Sequence, residues 1–287
     1  MSTSSPARLR SRRVSVLAAT GFMVVCVAYF LMPLWWLVVA SSTTRGGLTS
    51  TSLWFDGNFE LFTNIKNVLT YQDQVFVRWL LNSALYATLG ASVGTLFASM
   101  AGYALAKYVF PGREVVFNII LAGVLVPATA LALPLFLLFS KADLTDSFWS
   151  VLLPSTVSPF GVYLARIYAA GAVPDELLES ARLDGASELR SFFTISSRLM
   201  APALVTIFLF QFVSIWNNYL LPLVMLQDTR LYPVTLGLAT WNSQKAQAGD
   251  LQLYVVVGAM LSILPLILAF LPLQRFWQSG LSEGGGK

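Results

Sequence analysis

The chain has 287 residues, of which 56% are hydrophobic and 11% charged, against about 25% charged in an ordinary soluble domain. That balance excludes a water-exposed globular fold and marks a membrane protein. It contains no histidine, which excludes a His general base, a His-ligated metal and a Ser-His or Cys-His nucleophile pair. The single Cys26 lies in an apolar run and reads as a membrane-embedded thiol rather than a redox group. The net charge of +4 reads as loop bias, not as a nucleic-acid surface.

Stretches free of Asp, Glu, Lys and Arg run over 14–44, 79–106, 115–140, 147–165, 199–227 and 251–274. Each reaches or nearly reaches the ~20 residues that cross the hydrocarbon as helix. The expected fold is all-α, a polytopic membrane protein of six transmembrane helices. Its parts are a basic N-terminus (1–13), one membrane domain (14–276) and a C-terminal tail (277–287). The first apolar run is too long for a cleavable signal and reads as an anchor.

The second span carries Gly90, Gly94, Ala98, Gly102 and Ala106, a small residue at every fourth position. Such a strip lets another backbone approach closely; a pore-lining role is the other reading. The third span holds Pro127 and Pro134, and the fourth Pro154 and Pro159 around Ser155, Thr156 and Ser158. Proline frees carbonyls that hydrocarbon cannot satisfy, so these regions are either kinks or walls of a watery cavity.

In the fifth span Gln211, Ser214 and Asn218 share one helical face, ending at Trp216-Asn217-Asn218-Tyr219. Neutral amides and hydroxyls beside aromatics suit a sugar or similar polyol, or else glue neighbouring helices. No charged residue lies deep inside any span, as a proton- or voltage-coupled carrier would commonly require.

Six crossings put both termini on one side. The loops on that side, the N-terminus, 107–113, 166–198 and the C-terminus, carry 12 of the 18 Lys and Arg residues. The bias predicts cytoplasmic termini. Trp35, Trp36, Trp79, Trp149, Trp216 and Trp277 fall toward span ends, as interfacial residues do.

One charged segment, 173–200, interrupts this pattern. Pro174, Asp175 and Glu176 suit a helix start, with Leu177, Leu178 and Ala181 as its apolar face. Asp184-Gly185 reverses the chain. A second run, Ala186 to Met200, places Leu189, Phe192, Phe193 and Leu199 for burial before Pro202. This is a helix-turn-helix elbow under the membrane, suited to a groove of another protein.

Glu179-Ser180-Ala181-Arg182-Leu183-Asp184-Gly185-Ala186, followed by Phe192-Phe193, Ile195 and Pro202, resembles the EAA loop of ABC-importer permeases of the carbohydrate-uptake (maltose and multiple-sugar) family. Ser180 stands where that family has Ala, and Ser197-Arg198 where it usually has Leu-Pro. Asn82-Ser83, Gly102 to Ala106, Phe110 to Arg113, Pro127, Pro134 and Trp216 to Tyr219 are also similar to that family. The tail from Gln274-Arg275-Phe276-Trp277 to Gly280-Leu281 and Lys287 resembles that of its shorter, MalG-like permease.

The resemblance implies a permease subunit of an ATP-driven importer in the plasma membrane of a prokaryote. Coupling to the ATPase would fall to Glu179, Ala181, Asp184, Gly185, Ala186, Phe192 and Phe193. The candidate translocation path is Gln211, Ser214, Asn217, Asn218, Tyr219 and Asn82. The implied partners are a second permease, an ATPase dimer, an extracytoplasmic solute-binding protein met by the 228–250 loop, a carbohydrate and the lipid bilayer. ATP and Mg would sit on the ATPase, since this chain has no G-x-x-x-x-G-K-[ST]. A permease for polyol phosphate or another solute, a secondary carrier and a membrane enzyme are the alternatives; the last two lack the ionisable groups they would use.

Overall fold

The computed structural model describes residues 6–44, 47–48, 53–55, 59–245 and 250–284, with side chains within 16–245 and 251–273. Among them there is no strand. In chain order the helices are α1 (Pro6–Ser41), α2 (Leu61–Thr70), α3 (Val75–Lys107), α4 (Arg113–Ala122), α5 (Ala128–Lys141), α6 (Phe148–Ser155), α7 (Pro159–Ala172), α8 (Asp175–Leu183), α9 (Glu188–Ser191), α10 (Ser197–Leu199), α11 (Ala201–Trp216), α12 (Leu220–Met225), α13 (Val234–Gln244) and α14 (Asp250–Gly284).

Four stretches are long and apolar enough to cross a membrane: Val16–Ser41, Val75–Lys107, Phe148–Ala172 and Leu251–Leu273. Two bent pairs bring the count to six if each is one span. In the first pair Arg113–Leu125 meets Ala128–Lys141 at 104°, in the span whose prolines were expected to mark a kink or a cavity wall. The cause is local. Pro127 has no N–H and pushes Val126 into an extended conformation (φ −76°, ψ 119°), which ends the helix before it. Pro134, inside α5, causes no such break.

The fourth span is interrupted over 156–158, where Ser158 caps α7 by accepting from Gly161 N and Pro159 takes its first position. The fifth starts at Ala201, 84° from the elbow helix before it, and breaks again between Trp216 and Leu220. Breaks thus divide three of the expected spans into shorter helices.

The described residues form two units, 1–70 with 241–261, and 71–240 with 262–287. In the first, Asn64 Nδ2 donates to the carbonyls of Ser41 and Thr43 (3.0 and 2.9 Å) and ties α2 to the end of α1. From Val16 to Met32, α1 presents large apolar side chains that are mostly exposed, as suits hydrocarbon surroundings.

The second unit is organised by the small-residue strip of α3. A Cβ on Gly90 would lie 2.7 Å from Ile215 Cδ1, one on Gly94 would fall on the Gln211 amide, and one on Gly102 would strike Val162 O and Arg166 N. The strip is therefore a packing seam, seating α11 at Gly90 and Gly94 and α7 at Gly102. Around it Ala98, Tyr103, Val162, Ala165 and Ile207 are buried together with Leu178, Phe192 and Met200 of the elbow. Trp79 and Trp216, expected at a membrane interface, are 3% and 2% exposed. Trp79 is covered by the loop that follows α12 and by Gly237 of α13, and Trp216 stacks on Phe212 at 5.8 Å.

Gly102→Ala sets a methyl group against backbone atoms of α7 that cannot rotate aside. It is expected to destabilise the detergent-solubilised chain by about 1–3 kcal/mol, read as a lower Tm and yield, whereas Gly171→Ala, with nothing within 4 Å of its Cβ position, leaves both unchanged.

Candidate functional site

A cavity of about 360 Å³ lies where the broken helices meet. Ala128, Leu131 and Leu135 of α5 form one wall, Pro154 to Pro159 another, and Phe210, Gln211, Ser214 and Asn218 a third. None of the lining residues is charged. This size falls within the range of ~300–1,000 Å³ typical of small-molecule sites.

Gln211 holds two of these walls together. In a continuous helix the Ser155 carbonyl would accept from residue 159, but Pro159 has no N–H to give. Gln211 Nε2 donates to that carbonyl instead, at 2.9 Å. Its Oε1 is buried with no donor among the described residues, an arrangement that costs about 1–3 kcal/mol. Gln211 thus bonds a neighbouring element and lines the cavity as well.

Ser214 is exposed on the same wall, and Asn218 Oδ1 accepts from Leu221 N at 3.2 Å, holding the start of α12. Asn217 and Tyr219 are exposed and do not line the cavity; Asn217 Nδ2 turns back to Val213 O.

Asn82 departs from the expected path altogether. Its Nδ2 donates to the carbonyls of Arg230 (2.8 Å) and Tyr232 (3.0 Å). Along the same face of α3, Trp79 Nε1 donates to Thr229 O (2.8 Å), Tyr86 OH to Leu231 O (3.2 Å), and Ser83 Oγ accepts from Val234 N (2.8 Å). Asp146 Oδ1 accepts from Gln227 N and Asp228 N on the other side of the loop. These residues clamp 227–234 against α3. Their even helical spacing was visible in the sequence; the acceptors, being backbone carbonyls, were not. Much of the 228–250 loop expected to meet a binding protein is helix α13 (Val234–Gln244); its residues 246–249 lie outside the described residues, as do the side chains of the C-terminal tail from Gln274 onward.

The elbow is built from α8 to α10. At its joint Gly185 has φ +77°, Gly185 N donates to Arg182 O and Ala186 N to Ala181 O, the paired bonds of a glycine-ended helix. Ser187 Oγ then caps α9 by accepting from Arg190 N. A π turn over Phe192–Ser196 follows, a feature found mostly at functional positions. No proline interrupts Ser197-Arg198, and the chain bends only at Met200, ahead of Pro202.

Of the apolar residues expected to be buried, Phe192 is (3% exposed), packed on Tyr103 at 5.3 Å. Leu189, Phe193 and Leu199 are exposed. So are Leu177 and Leu183 of α8, whereas Leu178 and Ala181 face inward. The elbow thus turns one apolar face to the bundle and shows a second outward, with Glu179 exposed and without a side-chain partner among the described residues.

Charge fixes the elbow in place. Lys107, its side chain 5% exposed at the end of α3, donates to Val173 O and to Asp175 Oδ1 (2.8 Å). Across the Gly185 joint Arg182 Nε pairs with Glu188 Oε1 at 2.8 Å, and Glu188 Oε2 accepts from Tyr108 OH at 2.6 Å. The Arg182 and Tyr108 hydrogen bonds hold the Glu188 carboxyl below the usual carboxylate range. Burial, then the Glu188 bond, pushes the Tyr108 phenol up. Neither Lys107 nor Tyr108 was singled out from the sequence, where each is one polar residue beside a loop.

Residues 94–282 match the family described as binding-protein-dependent transport system inner membrane component. The chain belongs to that family. As an inner membrane component it is 33% identical to the arabinooligosaccharides transport system permease protein AraQ of Bacillus subtilis (94% of this chain, 95% of that one). It is 31% identical to the lactose transport system permease protein LacG of Rhizobium radiobacter (91% and 93%). It is 28% identical to the sn-glycerol-3-phosphate transport system permease protein UgpE of Pectobacterium atrosepticum (96% and 99%). The fold matches a chain from the crystal structure of a bacterial ABC transporter involved in import of the acidic polysaccharide alginate, with TM-score 0.79 at 24% identity over 96% of this chain and 99% of that one.

Lys107→Met removes the donor from the Val173 carbonyl and strands Asp175. Hydrogen exchange is expected to quicken over residues 174–186 while the amides of α3 and α7 keep their protection; equal quickening throughout would mean that Lys107 supports the whole unit rather than the elbow.

Proposed function

We propose that this chain is the permease subunit of an ATP-driven importer that passes a carbohydrate from a solute-binding protein to the cytoplasm. The observation that carries the substrate class is the uncharged, hydrogen-bonding wall of the cavity. A sugar offers hydroxyls that match neutral amides, hydroxyls and carbonyls. The relatives AraQ and LacG, named for oligosaccharide and lactose transport, support the same reading. UgpE favours a polyol phosphate as the second reading, but a phosphate calls for a cation or converging N–H groups, and this wall has no Lys or Arg.

The elbow is the part that meets a cytoplasmic ATPase. Its outward apolar residues Leu177, Leu183, Leu189 and Phe193 fill a groove there, and Glu179 pairs with a basic residue of that partner. Asp184, Gly185 and Ala186 set the angle at which it is offered; Ala181 and Phe192 anchor it inward. ATP and Mg reside on that partner, and a second permease completes the pathway. Both termini and the elbow are cytoplasmic, as the twelve-to-six division of Lys and Arg supports.

Reconstituted in vesicles with its partner subunits, the complex is expected to accumulate labelled arabinotriose or lactose on ATP addition and not glycerol 3-phosphate. Uptake of the phosphate alone would replace this reading with the second. Gly185→Val forces a β-branched residue to positive φ and is expected to cut uptake at least tenfold while leaving the subunits assembled. Thiols introduced by Leu183→Cys and Ser243→Cys test orientation: an impermeant reagent should reach the second from outside intact cells and the first only after lysis.

A further inference from the structure

Two interruptions of the apolar helices meet at the one cavity. Val124 and Ala128 flank the break at Pro127, and Ser155, Val157 and Ser158 belong to the break before Pro159. Non-helical backbone at membrane depth is tolerated where protein or a watery cavity satisfies its polar groups. In the second break the protein satisfies only some of them. Gly161 N bonds Ser158 Oγ, and Ser155 O receives Gln211 Nε2. The carbonyls of Thr156 and Val157 have no donor among the described residues. Val157 is 72% exposed and lines the cavity. Gln211, only 7% exposed, lines it too and carries a further acceptor, Oε1, that nothing among the described residues satisfies.

We propose that the interruption at 156–158 is a hydroxyl-reading element of the transport site, and that Gln211 is the positioning residue that keeps it open. The Val157 carbonyl takes hydroxyl hydrogens of an uncharged sugar, with Ser214 and Asn218 on the facing wall. Gln211 maintains the gap by donating to Ser155 O in place of the N–H that Pro159 lacks. Without that donor the Ser155 carbonyl needs another, such as the N–H of Ser158 or Phe160, and the start of α7 shifts to bring one to it. A wall of acceptors without a cation also turns away phosphorylated or carboxylated solutes, because lone pairs face the anion. This inference rests on the carbohydrate reading and adds the groups that select the solute.

The test uses the complete complex in vesicles, with KM and maximal rate of labelled arabinotriose and lactose uptake read alongside the amount of complex assembled. Pro159→Ala restores an N–H at 159 and lets helix run through the gap. Gln211→Leu removes the donor, and Gln211→Glu replaces it with a second acceptor. Each is expected to raise KM about three- to tenfold, the worth of roughly one hydrogen bond, with wild-type amounts of complex. Because Pro159→Ala and Gln211→Leu act on the same carbonyl, the double variant should be no worse than Pro159→Ala alone. Unchanged KM in Pro159→Ala, or losses that simply add in the double variant, overturns the proposal. Pro159→Ala removes no donor, so it decides the matter even if a Gln211 variant fails to assemble. A wild-type complex that takes up neither sugar defeats the carbohydrate reading itself; uptake with KM insensitive to both positions defeats this inference alone.

Discussion

Close approach of helix backbones along α3 is the constraint on which the rest of the second unit depends. Apolar side chains gain nothing by leaving lipid for one another, so association in a membrane relies on contact at short range and on hydrogen bonds. Gly90, Gly94 and Gly102 supply the short range. The slot at Gly94 is what admits the Gln211 amide, and Gln211 in turn bonds Ser155 O. One absent side chain on α3 therefore governs the geometry of a helix break on a third element.

The breaks follow from proline, but their positions matter because of what covers them. Pro127, Pro159 and Pro202 each stand at the start of a helix, where a missing N–H costs no internal bond. Pro134 lies inside α5, which continues past it, whereas α6 ends one residue after Pro154. Two of the helix-starting prolines bring interrupted backbone to the cavity, and the third lies next to the bend between elbow and fifth span. The polar groups that proline leaves over are thus gathered at the two places where the proposed function has the chain meet a solute and an ATPase.

The two ends of α3 carry different attachments. At 33 residues it is about 50 Å long. Its first turns hold the 227–234 loop through Trp79, Asn82, Ser83 and Tyr86; its last hold the elbow through Tyr103 and Lys107. Both attachments end on backbone carbonyls as well as side chains. A single stiff element thereby links the parts that the proposed function assigns to opposite faces of the membrane.

The sequence by itself determined the fold class, the order of the apolar segments and the place of the elbow. These rest on local quantities: an apolar run long enough to span, the period of small residues, a glycine where the chain reverses. It also put Gln211, Ser214 and Asn218 on one helical face, which is a matter of spacing alone. What it did not reveal is what lies opposite each face. Asn82 opens its span as a path residue would, yet it is spent on Arg230 and Tyr232; Leu189 and Phe193 look like core and are exposed; Trp79 and Trp216 look interfacial and are buried. Only the tertiary structure decided these, because burial and hydrogen-bond partnership depend on elements distant in sequence, Asn82 and Tyr232 being 150 residues apart. The backbone carbonyls that serve as partners leave no residue-type signature in the sequence.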